Sequence, residues 1–263
     1  MTTDEAREAL RRASVAILPI GATEQHGPHL ELRTDTALAS ALAAELAAGL
    51  GDRAVVLPEI GYGLSEHHLP FAGTLTLRPT TLRAVLLDIL ESIRHHGIDK
   101  VLIVNGHGGN IDAIRLVARE ALRDFGMQVA HLMWAQLARD AIADEAGPSW
   151  RRNHACEIET SLAMVLDESL LRPDRIGESH LIGAKDDFTE PTNASVDLPI
   201  WFDAWTETGA LGDPRRASAQ RGERIAAEAS ANALAFALQF LEGRPRSRPE
   251  NPRTPTHASR PRP

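Results

Sequence analysis

The segment KVLIVNGHGGNIDAIRLVAREALRDFGMQVAHLM, residues 100–133, decides the fold. Lys100 to Val104 is a short run of aliphatic residues, as expected of a strand buried on both faces. Asn105 to Asn110 is a glycine-rich turn, and Ile111 to Phe125 carries helical spacing. Gly126 then precedes another strand at Gln128 to Met133. A strand, a crossover helix and a second strand within about 30 residues make the βαβ unit of a parallel sheet.

Outward from this unit the alternation repeats. Ser14 to Ile20 reads as a strand ending at Gly21; a polar loop follows, then a helix from Asp35 to Leu50 with Leu38, Leu42, Leu46 and Leu50 on one stripe. Val55 to Leu57 is the next strand, and a loop bearing Gly61, Gly63 and Gly73 leads to a helix from Thr80 to about His96, stopped by Gly97. Downstream, Ile158 to Leu166 and Ala217 to Leu241 are helical, whereas Leu181 to Thr208 is less regular. The class is therefore α/β. At 263 residues a single domain over residues 1–243 is expected, and residues 244–263, with six prolines and six arginines, are expected to be disordered.

Charge and composition exclude several functions. The net charge is -8, and the last twenty residues contribute +5 of opposite sign, leaving -13 on the body. So acidic a body does not suit nucleic acid, but it does suit a multivalent cation. Cys156 is the single cysteine, so no intrachain disulfide forms and a reducing cytoplasm is the expected location. Met1 to Arg12 lacks the apolar core of a signal peptide, and no apolar run is long enough for a bilayer, so no membrane partner is expected.

The chemistry gathers after the strands. Glu24 and His26 lie two apart in Gly21-Ala22-Thr23-Glu24-Gln25-His26-Gly27-Pro28-His29, and in an extended segment they project to one side. Asp35 opens the following helix, where on its own it would read as a cap, just as Glu24, His26 and His29 would read as ordinary loop residues. Their density favours a shared role. His107 stands among glycines at the end of the strand in residues 100–104, on the rim where open α/β sheets bind ligands. The loop has neither G-x-G-x-x-G nor the lysine of a phosphate loop, which counts against a nucleotide site. Two histidines and two carboxylates suit Zn, Mn or Fe, and a carboxylate such as Asp35 can bridge two ions. Further ligands are available in His154-Ala155-Cys156-Glu157-Ile158-Glu159, although acids in a first helical turn are also favoured by the helix dipole.

At these motifs the chain resembles the creatininase family, which includes creatinine amidohydrolases, a formamidopyrimidine nucleotide deformylase and the mycofactocin-maturing peptidase. The likeness runs from about Leu18 to Arg224 and includes Glu24 to His29, Thr34-Asp35, Ser65 with His68, Phe71 to Thr74, Asn105 to Asn110, Glu157 to Ser161, Thr208-Gly209 and Gly212 to Pro214. It implies a three-layer α/β/α sandwich around a mostly parallel sheet, a homo-oligomer, and two divalent ions per chain. Glu24, Asp35 and His107 would hold one ion, and His26 with the bridging Asp35 the other. Creatininase itself completes the second ion with a Glu two residues after the matching His, where this chain has Gly109. That departure counts against creatinine as substrate and leaves Glu159, with Glu157 behind it, to supply the ligand. His154 matches a family histidine near the substrate and would pass a proton to the departing amine. Ser65 and His68 are expected to contact substrate, and Cys156 to be a small buried residue.

The expected activity is hydrolysis of a C–N amide bond in a cyclic amide, a formamide or a short peptide. The ions would lower the pKa of a water and polarise the carbonyl. Two other readings remain open from sequence. One is a metal-binding protein whose ligands fill every coordination position; the other is a nucleotide-binding α/β module built on Gly106, Gly108 and Gly109.

Overall fold

The computed structural model describes residues 1–143, 154–182 and 199–243. Among these residues four strands form one parallel sheet in the order β2-β1-β3-β4: β1 Val15–Ile20, β2 Ala54–Val56, β3 Lys100–Asn105 and β4 Gln128–Met133. The α-helices are α1 Thr3–Arg12, α2 Thr34–Leu50, α3 Pro79–His95, α4 Ile111–Glu120, α5 Trp134–Leu137, α6 Arg139–Ala143, α7 Glu157–Leu166 and α8 Ala219–Glu242.

Alternate residues of the central strands feed two cores, which is why β1 and β3 read as unbroken apolar runs. Val15 and Ile17 of β1, with Leu102 and Val104 of β3, face α2, α7 and α8. Ala16, Leu18 and Ile20, with Val101 and Ile103, face α3 and α4. The result is the three-layer α/β/α sandwich that the resemblance implies. Leu82, Leu86 and Leu90 of α3 are fully buried, and each contributes roughly 1.5–3 kcal/mol of apolar burial.

Two local features depart from the sequence reading. Residues 1–12 contain a helix, started by a capping box in which Thr2 and Glu5 exchange backbone and side-chain hydrogen bonds. The helix expected over Ile111 to Phe125 is α-helical only to Glu120 and closes with a π turn over Ala121–Phe125, ended by Gly126 at φ 72°. At the other end of the fold, the Lys100 ammonium donates to the carbonyl oxygens of Phe240, Leu241 and Gly243, satisfying the last turn of α8. The proposed tail, residues 244–263, lies outside the described residues.

Strands β1 and β3 are neighbours at the middle of the sheet, and both end on the same rim. The loops leaving Ile20 and Asn105 therefore start side by side.

Candidate metal centre

Five segments deliver side chains to this rim. Glu24 and His26 follow β1, Asp35 sits in the first turn of α2, and His68 ends a short 3₁₀ turn at Glu66–His68. His107 follows β3, while His154 and Glu159 flank the start of α7. All seven are buried, none more than 7% exposed. The start of α2 resolves the two readings of Asp35. Arg33 occupies the cap position, no side-chain cap bond forms, and the Asp35 carboxylate is turned to the histidines instead.

Its two oxygens divide between two imidazoles. Asp35 Oδ1 lies 3.1 Å from His26 Nε2, and Oδ2 lies 3.1 Å from His107 Nδ1. Glu24 Oε1 is 3.2 Å from the same His107 nitrogen. The far nitrogens are already committed: His26 Nδ1 to the Glu24 carbonyl at 3.1 Å, and His107 Nε2 to the Leu64 carbonyl at 2.9 Å. A carbonyl only accepts, so each ring donates outward and turns its other nitrogen to the carboxylates. Both oxygens of Glu24 and Oδ2 of Asp35 are buried without a well-formed hydrogen bond, Glu24 Oε1 and Asp35 Oδ2 crowding the one His107 nitrogen. Buried carboxylate oxygens left in this way cost several kcal/mol unless a cation meets them. The residues thus fit a metal centre, and the N/O donor set suits Zn, Mn or Fe.

Among the described residues, three groups of candidate ligand atoms lie within 4.8 Å of one another: Glu24, His26 and Asp35; His26, His154 and Glu159; and Glu24, His68 and His154. Glu159 Oε2 accepts the Ala155 N–H at 2.5 Å. Ala155 takes φ 47°, a left-handed conformation worth about 1–2 kcal/mol of strain for a residue with a Cβ. Glu157, by contrast, accepts the Asp213 N–H at 2.9 Å and ties α7 to the 209–214 loop. Gly109 has no room for a side chain, because a Cβ there would lie 2.2 Å from the Leu64 carbonyl oxygen and 2.5 Å from His107 Nε2.

Without metal the site is polarised. Burial disfavours charge on His26, yet Asp35, joined by Glu159 and Glu24, outweighs it and lifts the imidazole to about 10. Burial likewise opposes His107, but Glu24 and Asp35 hold it well above the usual histidine range. Glu24 is held down against its burial by His107, then His154 and His68, and Asp35 is held down against its burial chiefly by His26. Glu159 rises to about 7 through burial, and burial with His26 lowers His154 to about 4. Burial, reinforced by Glu159 and Glu157, pushes the Cys156 thiol up, so it stays protonated and is no nucleophile.

The ligands border a cavity of about 320 Å³. Met133, Trp134, Ile142, Ile158 and Phe202 give it an apolar wall. The Phe202 ring lies 4.2 Å from that of His68 and 5.0 Å from that of His154. His68 lines the cavity; Ser65 is buried behind it, with Oγ 3.4 Å from His107 Nε2. The sequence reading named neither Phe202 nor Trp134. Trp134 directly follows a strand end, which is a usable signal, whereas Phe202 sits in an irregular segment and carries none.

A family model described as Creatininase: Creatinine amidohydrolase matches residues 1–237. A mycofactocin precursor peptide peptidase from Mycobacterium ulcerans is 33% identical over 219 residues, 81% of this chain and 80% of that protein. A creatinine amidohydrolase from Pseudomonas putida is 29% identical, covering 80% of this chain and 84% of its own length. Among solved structures, a creatinine amidohydrolase (creatininase) superposes with a TM-score of 0.77 at 26% identity, over 93% of this chain and 97% of its own. A manganese form of creatininase gives 0.73 at 28% identity, over 91% and 96%. Motifs, carboxylate–histidine geometry and overall likeness agree, and the chain belongs to the creatininase family of amidohydrolases.

Proposed function

We propose that this amidohydrolase holds two divalent ions and cleaves the C–N bond of a peptide-like amide, a formamide or a cyclic amide. The observation that carries the reading is the splitting of the Asp35 oxygens between His26 and His107, beside a Glu24 carboxylate with no well-formed hydrogen bond. Glu24, Asp35 and His107 would hold one ion; His26, Asp35 and Glu159 would hold the other. Glu159 takes the part for which Gly109 has no space. When bound, the ions supply an acidified water and a Lewis acid for the amide carbonyl.

The chain does the rest. His154 Nε2 is held 2.6 Å from the Gln25 carbonyl, which leaves Nδ1 facing the cavity to take a proton and return it to the departing amine. His68 is placed to contact substrate, and Phe202 with the Met133–Trp134 wall excludes water around it. Short peptides head the order of candidate substrates, because the peptide peptidases match at 33% identity and the creatinine amidohydrolase at 29%. Gly109 also argues against creatinine. The same reading includes a cytoplasmic homo-oligomer, which light scattering on the purified protein would test. The decisive experiment measures bound metal and hydrolysis of short peptides, formamides and cyclic amides, before and after chelation. Two ions per chain and activity lost with them are expected; a metal-free protein with undiminished activity would remove the reading.

A further inference from the structure

The side chain of Gln25 carries no role so far, yet every polar group of the residue is used. Its N–H donates to Thr74 Oγ1 at 3.1 Å, and its carbonyl accepts from His154 Nε2 at 2.6 Å. In the side chain, Oε1 accepts the Gly27 N–H at 2.9 Å, while Nε2 lies 3.0 Å from the Gly209 carbonyl and 2.9 Å from His68 Nδ1. A backbone N–H can only donate and a backbone carbonyl can only accept, so Gly27 and Gly209 fix which end of the amide is which. Gly209 permits this because it has no side chain: a Cβ there would lie 1.9 Å from Gln25 Oε1.

The two amide protons then have two acceptors, the Gly209 carbonyl and His68 Nδ1. His68 Nδ1 must present its lone pair, and the ring proton sits on Nε2, 3.5 Å from Glu24 Oε1 and facing the site. The backbone carbonyl of the same residue imposes the opposite arrangement on His154. There the proton is on Nε2 and points away, and the lone pair is on Nδ1, 3.6 Å from that same Glu24 oxygen. The two rings lie 4.4 Å apart.

We propose that Gln25 is a positioning residue that sets complementary tautomers on two neighbouring site histidines, making His68 a hydrogen-bond donor to the site and His154 an acceptor. A nitrogen that carries a proton does not bind a metal ion, so His68 is removed from the candidate ligands despite its closeness to Glu24 and His154. For amide hydrolysis one ring thereby offers an N–H to developing negative charge while its neighbour receives a proton. That use rests on the amidohydrolase reading; the placement of the protons does not.

The test is the ¹⁵N spectrum of zinc-loaded full-length protein labelled at histidine, with the His68 signals assigned by their loss in His68→Asn. Wild-type protein should show His68 protonated on Nε2 alone. In Gln25→Glu the carboxylate offers only acceptors, so His68 Nδ1 should gain a proton while His154 keeps its pattern, and turnover should fall about 10²-fold with zinc content unchanged. A wild-type His68 protonated on Nδ1 would overturn the proposal, and so would a His68 signal unchanged in Gln25→Glu; if that variant does not fold, the wild-type spectrum alone decides. Failure of the amidohydrolase reading would appear instead as a wild-type protein inactive on every amide with the tautomers as stated.

Discussion

The loops that leave β1 and β3 begin beside each other and serve the same site by opposite means. The β1 loop acts through side chains: Glu24, Gln25, His26 and His29 are all at least 95% buried, an unusual density of polar groups for a connecting segment. The β3 loop contributes one imidazole, is pinned by Asn110 to the Gly21 carbonyl and the Leu64 N–H, and otherwise acts through the side chains it lacks. A Cβ on Gly106 would lie 2.0 Å from the Asp35 carbonyl oxygen, so this glycine lets the end of β3 press against the start of α2. The contrast teaches that a ligand set needs donors on one loop and clearance on the other.

Removing a donor should have the largest effect. Asp35→Ala takes an oxygen from each proposed ion, so both metals and all measurable turnover should disappear; elemental analysis showing two ions in the variant would refute the bridge. Glu159→Gln should weaken one ion only. His154→Ala tests a group assigned to proton transfer rather than to binding. It should keep its metal content and lose about 10²–10⁴-fold in turnover, and wild-type initial rates would cancel that role.

Removing clearance should come next. Gly106→Ala forces α2 and β3 apart, with a loss of roughly 1–3 kcal/mol in stability and weaker metal retention through displacement of Asp35. Thermal unfolding with and without added zinc separates the two losses.

The polarisation of the ligands gives a smaller, graded effect. His26 in the metal-free site holds its proton up to about pH 10, against 6.5 in an unfolded chain. Its contribution to stability is therefore complete below pH 6.5 and is lost as pH rises through about 10. An entering ion must displace that proton, so zinc affinity should tighten across the same interval and binding should release protons. Titration calorimetry in two buffers of different ionisation enthalpy measures the release; none at pH 7.5 would mean that the ring is already neutral.

Part of the molecule was legible in the sequence. The βαβ alternation was, because buried parallel strands and amphipathic helices leave different periodicities; so was the gathering of Glu24, His26, Asp35 and His107 on one rim, because ligand-type residues crowd the strand ends. The helix over Thr3–Arg12 was signalled by Thr2 and Glu5 but hidden by the surrounding charge. The work of Gln25 was not legible, since its side chain bonds to Gly209, 184 positions away. Nor was the closeness of Phe202 to His68, a contact that only the folded chain creates. Whether a glycine is required is equally a tertiary question, as the spacing of Gly106, Gly108 and Gly109 says nothing of what each one touches.

Gly108 turns that last point into the smallest expected effect and the sharpest control. It stands in the same loop, between two positions that cannot bear a side chain, and yet a Cβ built on it meets nothing within 4 Å. If clearance is what the β3 loop supplies, Gly108→Ala should shift stability by no more than about 0.5 kcal/mol and leave metal content unchanged. Because Gly108 lines the cavity, any change should appear in KM rather than in bound metal. A Gly108→Ala protein as destabilised as Gly106→Ala would show that the loop needs its glycines for backbone freedom along its whole length, and the close approach at Asp35 would lose its special place.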